Sequence, residues 1–315
     1  DDKADFLISP YGSATAAASA VVTEQYEKTN LIVGAAAGST FTRGYKHAFQ
    51  VYSPGSKYLT GAIDALQKTD PSAKRVALVY EKDPFSADVA SAARDYASQK
   101  GLDVVVDEGY DTGTSDFAPF ITKIAGTNPD AIIGGGHFAD GTTLARQLSE
   151  KQVKAKMVAL LVAPADPQFA DLGDAANGIL APSQWEPQAT YSEAAASALH
   201  IPYYGPALKD YATSYKEKYG YDPGYHSAGG YGTGVILEKA LRDAGSADPK
   251  AVEAALAKMD IMTFFGHTKF DTGQTYGLQT GHDMVLLQWQ KTAELGRQTV
   301  WPADAASAKL VYPKP

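Results

Sequence analysis

The feature that most constrains the fold of this 315-residue chain is an alternation of short apolar runs with amphipathic stretches of helical length. Runs rich in Val, Ile and Leu recur up to about residue 186, and examples are DFLIS, RVALVYE, DVVVDEGY, AIIGGG and KMVALLV. Strands that recur between helices in this way form βαβ units, because parallel strands need a crossover and both faces of their sheet must be covered. The sequence therefore predicts an α/β fold with mainly parallel sheets flanked by helices.

The rhythm changes after about residue 186, where longer helices are predicted in YGPALKDYATSYKEKYG and AGGYGTGVILEKALRDAG. A β-hairpin is predicted over HTKFDTGQTYGLQTGHDMVLLQWQ, because two alternating runs flank Gly-rich turns. The closing VWPADAASAKLVYPKP is bounded by prolines, and we expect it to dock as an edge. A chain of this length exceeds one small domain, and it contains no low-complexity linker, so we expect two α/β lobes joined by short crossovers.

Composition argues against several classes of function. The formal net charge is −8, and no cluster of Lys and Arg is interleaved with aromatic residues, which argues against a nucleic-acid partner. No apolar run approaches the roughly 18 residues of a membrane-spanning helix. Cysteine is absent, which removes thiolate metal sites and thiol nucleophiles and is compatible with an oxidising compartment. No signal-peptide pattern precedes DDKADFLIS, although a mature protein would also lack one.

Two turns built almost wholly of small residues follow strand-like runs, in PYGSATAAASAVV and in VGAAAGST. In open α/β sheets ligands bind beyond the carboxyl ends of the strands, where helix N-termini present unpaired N–H groups. In the stretch Tyr11-Gly12-Ser13 the serine hydroxyl can donate to a carboxylate, and backbone N–H groups around Ala35–Ala37 can add further bonds. Three or four such hydrogen bonds, worth about 1.5–3 kcal/mol each, could hold a carboxylate without arginine. Taken alone, however, the stretch favours ordinary roles for its Ser and Gly residues, as N-caps and close-packing residues.

Other predicted strand ends supply three more candidates: Phe85 in YEKDPFS, His137 after GGG, and Leu161 in LLVAP. Individually each has an ordinary explanation, since Phe85 fits a core position and His137 fits a surface or capping position. Their shared position at the carboxyl ends of successive strands is what makes them candidate ligand contacts together.

Several segments together resemble one known family. The segments DFLISPYGSATAAAS, KRVALVYEKDPFSADVASAARDYASQKG and FFGHTKFDTGQTYGLQTGHDMVLLQW are similar to the type I periplasmic binding proteins of ABC importers, in the leucine/isoleucine/valine-binding branch. The resemblance covers almost all of the chain. It implies two lobes joined by three short crossovers, with residues 1–54 and 186–285 in the first and residues 55–185 and 286–315 in the second. The family ordinarily begins with a further strand, helix, strand and helix, so we expect the first lobe to lack its opening βα units here.

The resemblance also implies a function. It predicts a monomer, periplasmic or otherwise extracytoplasmic, that closes two lobes on a small-molecule carboxylate ligand and delivers it to an ABC permease in the cytoplasmic membrane. It implies no cofactor, no metal, no nucleic acid and no catalysis.

The resemblance assigns roles to the site residues. The family's carboxylate-binding serine falls on Ser13, whereas the threonine of its second turn falls on or beside Ala36, which leaves only backbone N–H groups there. The acid that meets the ligand ammonium in amino-acid-binding members falls on Leu161, and two tyrosine positions fall on Phe85 and His137. The predicted ligand contacts are Tyr11, Gly12, Ser13, Ala35, Ala36, Ala37, Phe85, His137 and Leu161.

The change at Leu161 bears on the ligand class. Burying an ammonium group without a counter-charge is strongly unfavourable, so an aromatic or branched organic acid is favoured over an α-amino acid. An acid such as Asp83 or Glu186 could supply the missing charge from another direction, and a branched-chain amino-acid, other amino-acid or amide ligand stays open.

Two further functions stay open. An enzyme could use Ser13 as nucleophile and His137 as base, but no G-x-S-x-G motif surrounds Ser13. A ligand sensor could share the same fold, but the sequence shows no DNA-binding or transmembrane segment to support it.

Overall fold

The computed structural model describes residues 4–303 and 305–315. The chain folds into two compact units, and each is assembled from segments that are far apart in the sequence. One unit comprises the chain up to Pro54 together with Thr190–Asp283. The other comprises Gly55–Ala189 together with the chain from Met284 onward.

Helices and strands largely alternate up to Ser183, and four successive helices and then four strands follow among the described residues. The α-helices are α1 (Ser13–Gln25), α2 (Thr60–Thr69), α3 (Pro84–Gln99), α4 (Ala118–Thr127), α5 (Phe138–Glu150), α6 (Glu193–Ala198), α7 (Leu208–Tyr219), α8 (Tyr225–Ala244) and α9 (Pro249–Ala257). The β-strands are β1 (Phe6–Ile8), β2 (Thr29–Ile32), β3 (Ala48–Gln50), β4 (Arg75–Glu81), β5 (Asp103–Tyr110), β6 (Ala131–Gly135), β7 (Met157–Leu160), β8 (Ile179–Ser183), β9 (Asp260–Thr263), β10 (Gly266–Lys269), β11 (Val285–Lys291) and β12 (Leu295–Trp301).

The first unit contains a small parallel sheet, in which β1, β2 and β3 pair in that order. Helix α1 packs on this sheet through small side chains, and Ala16 and Ala20 join Ile32 and Phe41 in a buried cluster. Small residues on the inner face of the helix allow its backbone to lie close to the strands. The same unit holds an antiparallel hairpin of β9 and β10.

The second unit contains a seven-stranded sheet in the order β12-β11-β8-β7-β6-β4-β5. Strands β5, β4, β6, β7 and β8 are parallel neighbours, whereas β11 is antiparallel to both β8 and β12. Helix α3 contacts β4 and β5, helix α4 contacts β5, and helix α5 contacts β6. The predicted α/β class with mainly parallel sheets and flanking helices is confirmed. No helix in the described part of the chain is both long and apolar enough to cross a membrane.

Parallel pairing brings the strand ends of the second unit to one edge of its sheet. Tyr80 on β4 pairs with Gly135 on β6, and Gly134 pairs with Leu160 on β7. Strand β6 approaches β4 so closely that a Cβ on Gly134, whose φ is +126°, would lie 2.0 Å from the Val79 carbonyl oxygen. The turns after β4, β6 and β7 therefore start side by side.

The predicted hairpin over HTKFDTGQTYGLQTGHDMVLLQWQ is wrong. Strand β10 pairs with β9, where Gly266 is opposite Thr263, while β11 pairs with β8 and β12. Nearly every residue of β11 is buried, so this strand needs a neighbour on each side, which a two-stranded hairpin would not give it. Among the described residues of the closing segment, only Val300 and Trp301 belong to a strand, the edge strand β12.

Candidate functional site

In the first unit the two small-residue turns lie side by side at the ends of β1 and β2. The N–H of Gly12 donates to the carbonyl oxygen of Gly34 at 3.0 Å. The N–H groups of Ala36 and Ala37 both donate to the Oγ of Ser13, each at 3.2 Å. Ser13 is 5% exposed. The fold therefore brings Gly12 and Ser13 together with the second turn, as the parallel arrangement of the strands predicts.

Of the Ser and Gly residues that could cap α1, Gly12 is the one that does so, and Ser13 is not the N-cap. Gly12 is the N-cap of α1, with φ 90° and ψ 135°, and Ser13 is the first helical residue. A serine hydroxyl has two acceptor sites and one donor. Both acceptor sites are used by Ala36 and Ala37, and among the described residues no acceptor takes the hydroxyl hydrogen. Ser13 thus has one donor that no described residue uses, while the two amides are directed at Ser13.

Two neighbours complete this part of the first unit. The ring of Tyr11 is more than half exposed and packs edge-on against His226, with ring centroids 5.3 Å apart. The carbonyl oxygen of Ala35 accepts from Nε2 of Gln50 at 3.3 Å. Gln50 is fully buried, and its Oε1 has no partner among the described residues. No local sequence pattern singles out Gln50, because its place beside Ala35 depends on β3 pairing with β2.

In the second unit the predicted aromatic contacts lie together. The ring of Phe85 packs edge-on against Tyr58, with centroids 5.1 Å apart, and against His137, with centroids 5.8 Å apart. Phe85 is buried, whereas His137 is about one-third exposed and is the N-cap of α5. Leu161 is fully buried, and its N–H donates to the Gly134 carbonyl oxygen at 2.7 Å.

Sequence reasoning missed two acids next to these residues, Glu81 at the end of β4 and Asp140 in the first turn of α5. A Cβ placed on Gly136 would lie 2.5 Å from an oxygen of each carboxylate, so both side chains face that glycine. The N–H of His137 donates to Asp140 at 2.8 Å, and Nδ1 of His137 lies 3.5 Å from Oε2 of Glu81. The spacing of Asp140, three residues after the N-cap, is the capping-box signal that could have identified it.

This edge of the second unit is strongly anionic. The hydroxyl of Tyr110 donates to Asp140 at 2.5 Å, and burial, followed by the charge of Asp140, raises the pKa of Tyr110 far above its usual range. Smaller effects in the same direction come from Glu81 and Asp83. The Tyr110 hydroxyl therefore stays protonated and acts as a donor.

The two acids that the sequence analysis raised as alternative counter-charges have partners of their own. Asp83 caps α3 and accepts from the N–H groups of Phe85 and Ser86 at 2.9 and 3.3 Å. Glu186 accepts from the Ser183 hydroxyl at 2.9 Å and lies 3.5 Å from the Arg297 guanidinium. Burial raises the pKa of Glu186 in spite of these two neighbours.

Among the described residues, one group of side chains has the composition of a metal site. Ligand atoms of Glu81, Asp83 and His137 lie within 4.8 Å of one another. Because Asp83 already serves as a helix cap, this grouping alone does not define a metal centre.

The chain has two α/β units, and each is built from separated segments. Each unit carries potential binding groups in its strand-end turns. This arrangement is that of the class of two-unit solute-binding proteins. Residues 1–294 match the family described as periplasmic binding protein. The chain belongs to that family, and the resemblance found in the sequence is confirmed.

Individual relatives are distant but cover most of the chain. The Leu/Ile/Val-binding protein homolog 8 of Brucella abortus (strain 2308) is 24% identical over 319 residues, which span 98% of this chain and 76% of the relative. A crystal structure of the leucine binding protein LivK from Thermotoga maritima is similar with a TM-score of 0.78 and 20% identity, over 96% of this chain and 82% of that one. A solute binding protein from R. palustris, solved in complex with benzoate, has a TM-score of 0.76 and 18% identity, over 98% and 82%.

Proposed function

We propose that this protein is the extracytoplasmic solute-binding component of an ABC importer and that it binds a small carboxylate, specifically an aromatic or branched organic acid. The observation that carries the proposal is the Ser13 hydroxyl, which is buried, held by two amides and left with one donor. A donor fixed in this way can bind a carboxylate without reorganising. Charge-assisted hydrogen bonds of this kind are stronger than those between neutral groups.

The second unit supports an apolar ligand body. Phe85 packs between Tyr58 and His137, which gives a largely aromatic surface at the strand ends. Leu161 stands where the resemblance places the acid of amino-acid-binding members, and a leucine cannot compensate a buried ammonium. The benzoate complex of the R. palustris protein is an example of an aromatic acid bound by the same fold.

A specific observation favours a second candidate, an α-amino acid. Glu81 is a buried acid only 3.5 Å from His137, so it could replace the missing charge at Leu161. The B. abortus relative is also named as a Leu/Ile/Val-binding protein homolog. Under either candidate the protein binds its ligand and returns it unchanged, works as a monomer, and passes the ligand to a membrane permease.

The two candidates are separated by calorimetric titration with a matched pair, 3-phenylpropionate and phenylalanine. Under the organic-acid candidate we expect the acid to bind about a hundredfold more tightly or better, because no acid then meets the ammonium group and the amine adds only a desolvation penalty. Tighter binding of phenylalanine would reject the organic acid as the ligand class and support the α-amino acid.

Ser13 is tested by substitution in the same titration. Ser13→Ala should weaken 3-phenylpropionate binding by about 10- to 100-fold, since it removes one charge-assisted donor. Thr42→Ala, which alters an exposed hydroxyl in the same unit, serves as control and should leave the affinity unchanged. Equal affinities for Ser13→Ala and the control would reject the role of Ser13.

A further inference from the structure

Three carboxylates lie near one another at this strand end, since those of Glu81 and Asp140 face Gly136 and that of Asp83 has an oxygen within 4.8 Å of one on Glu81. Two of the three, Asp83 and Asp140, are satisfied by the chain itself. Asp83 accepts from two backbone N–H groups in the first turn of α3. Asp140 accepts from the N–H of His137 at 2.8 Å and from the hydroxyl of Tyr110 at 2.5 Å. Both acids therefore have structural roles that account for their positions.

Glu81 differs from the other two acids. Its side chain is only 7% exposed, and among the residues that the structure describes no N–H or O–H group donates a hydrogen bond to it. Its recorded polar neighbour, Nδ1 of His137, lies at 3.5 Å, which is longer than an ordinary hydrogen bond. Burying a carboxylate without a hydrogen-bond donor is energetically unfavourable, and the two other carboxylates nearby increase this cost. Glu81 therefore has acceptor capacity that this chain does not fill.

The location of Glu81 connects this capacity to the ligand. Glu81 is the last residue of β4, and the turn that follows it carries Phe85. Its carboxylate also lies beside His137, whose ring packs on Phe85. Phe85 and His137 are two of the proposed contacts with the ligand body, so an unfilled acceptor at Glu81 adjoins the surface on which that body would rest.

We propose that Glu81 is a specificity-determining residue that selects ligands carrying a hydrogen-bond donor in addition to their carboxylate. This inference rests on the proposed function. For an organic acid the donor is a hydroxyl group, as on a phenol ring, and for an amino acid it is the ammonium group. The same carboxylate disfavours ligands that bring a second carboxylate to this surface, because like charges repel in a poorly solvated site.

The experiment compares ligands that differ only in the donor. Full-length protein is titrated calorimetrically with 3-phenylpropionate, with its 3- and 4-hydroxyphenyl analogues, and with phenylalanine. We expect the better-binding hydroxyphenyl analogue to bind at least about tenfold more tightly than 3-phenylpropionate. A hydrogen bond to a charged acceptor contributes enough free energy for a difference of that size. In Glu81→Gln, which keeps the shape and removes the charge, this preference should fall to about threefold or less.

Two further variants distinguish a specific role from a structural one. Glu81→Asp keeps the charge and should retain more of the preference than Glu81→Gln. Glu108 lies on β5, and its carboxylate pairs with Lys123. Glu108→Gln is the matched control and should retain the full preference for the hydroxyphenyl analogue. A loss of affinity in Glu81→Gln that is equal for all four ligands would show a structural role and would overturn the proposal.

The wild-type titration tests the role of Glu81 even if Glu81→Gln does not fold. A wild-type protein that binds phenylpropionate and its hydroxyphenyl analogues equally, and phenylalanine no better, overturns the role of Glu81 while leaving the organic-acid function in place. If only phenylalanine binds, the organic acid is rejected, and a tenfold loss in Glu81→Asp or Glu81→Gln supports Glu81 as the ammonium partner. Binding of none of the four ligands would contradict both proposals.

Discussion

Ser13 occupies the first helical position of α1 and joins two neighbouring turns of the first unit. Its Oγ is the acceptor for the N–H groups of Ala36 and Ala37, which are buried and otherwise lack a hydrogen-bond acceptor among the described residues. The residue types of these turns suggested an anion site built of independent donors. The structure instead links the amides through the hydroxyl, so a ligand carboxylate would meet the Ser13 hydrogen first.

Loss of the Ser13 hydroxyl should therefore also reduce stability. Ser13→Ala leaves two buried N–H groups without their acceptor, and an unsatisfied buried donor costs roughly 1–3 kcal/mol. We expect the free energy of unfolding to fall by about that amount, as measured by urea denaturation without ligand. Thr42→Ala should change it by less than about 0.5 kcal/mol. An unchanged midpoint for Ser13→Ala would show that the turn relaxes to satisfy both amides.

Glu186 gives a prediction about pH. Burial raises the pKa of its carboxyl above the ordinary 4.5, although the charge of Arg297 and the hydrogen bond from Ser183 oppose the shift. A group whose pKa is raised by folding contributes stability below its unfolded pKa, and that contribution is lost as the pH rises through the folded pKa. The free energy of unfolding of wild type relative to Glu186→Gln should therefore decrease as the pH rises above about 4.5.

The Glu186 measurement is a series of urea denaturations across that pH range. Glu294→Gln, at an exposed position, is the control and should show a smaller pH-dependent difference from wild type. A wild-type advantage over Glu186→Gln that grows with pH would contradict the expected sign and would mean that the pair with Arg297 outweighs burial.

At the scale of elements, the small-residue end of β6 sets the spacing of the second unit's strand ends. Gly134 lies against the Val79 carbonyl, and the next turn places Gly136 between the carboxylates of Glu81 and Asp140. In the sequence the GGG stretch marked only the end of a predicted strand. The glycines are required because the backbone of β6 and the side chains at the end of β4 share a space too small for a Cβ.

Gly134→Ala tests this close approach. An added Cβ would lie 2.0 Å from the Val79 carbonyl oxygen at a φ of +126°, so the strand must shift. We expect a loss of about 3 kcal/mol or more in the free energy of unfolding, or failure to fold. Gly126→Ala in α4, where a Cβ meets open space, should instead be neutral or stabilise by up to about 1 kcal/mol. Thermal denaturation followed by circular dichroism compares the two, and equal melting temperatures would contradict the packing argument.

At the scale of the whole molecule, the chain passes between its two units at residues 54–55, 189–190 and 283–284. No unit is therefore made of one continuous stretch of sequence. The proposed contacts are likewise divided, with Ser13 and its turns in one unit and Phe85, His137 and Leu161 in the other. Neither unit alone carries all of the groups that the proposed function uses.

Ligand binding should consequently stabilise the intact protein by mass action. At a free 3-phenylpropionate concentration of about 100 times its Kd, the free energy of unfolding should rise by about 2.7 kcal/mol. Phenylalanine at the same concentration should give a much smaller rise. Differential scanning fluorimetry over a ligand concentration series measures this, and a larger shift with phenylalanine would agree with the amino-acid candidate instead.

The sequence alone determined the α/β class and the strand-end positions of Ser13, Phe85 and His137, because strand and helix periodicity and turn composition are local properties of the chain. The family was indicated by the resemblance of several segments to known proteins. Only the tertiary structure decided that β11 lies between β8 and β12, that Ala36 and Ala37 donate to Ser13, and that Glu81 and Asp140 meet around Gly136. These features depend on which strands become neighbours. Strand order is set by packing between distant segments, and no local pattern of residues encodes it.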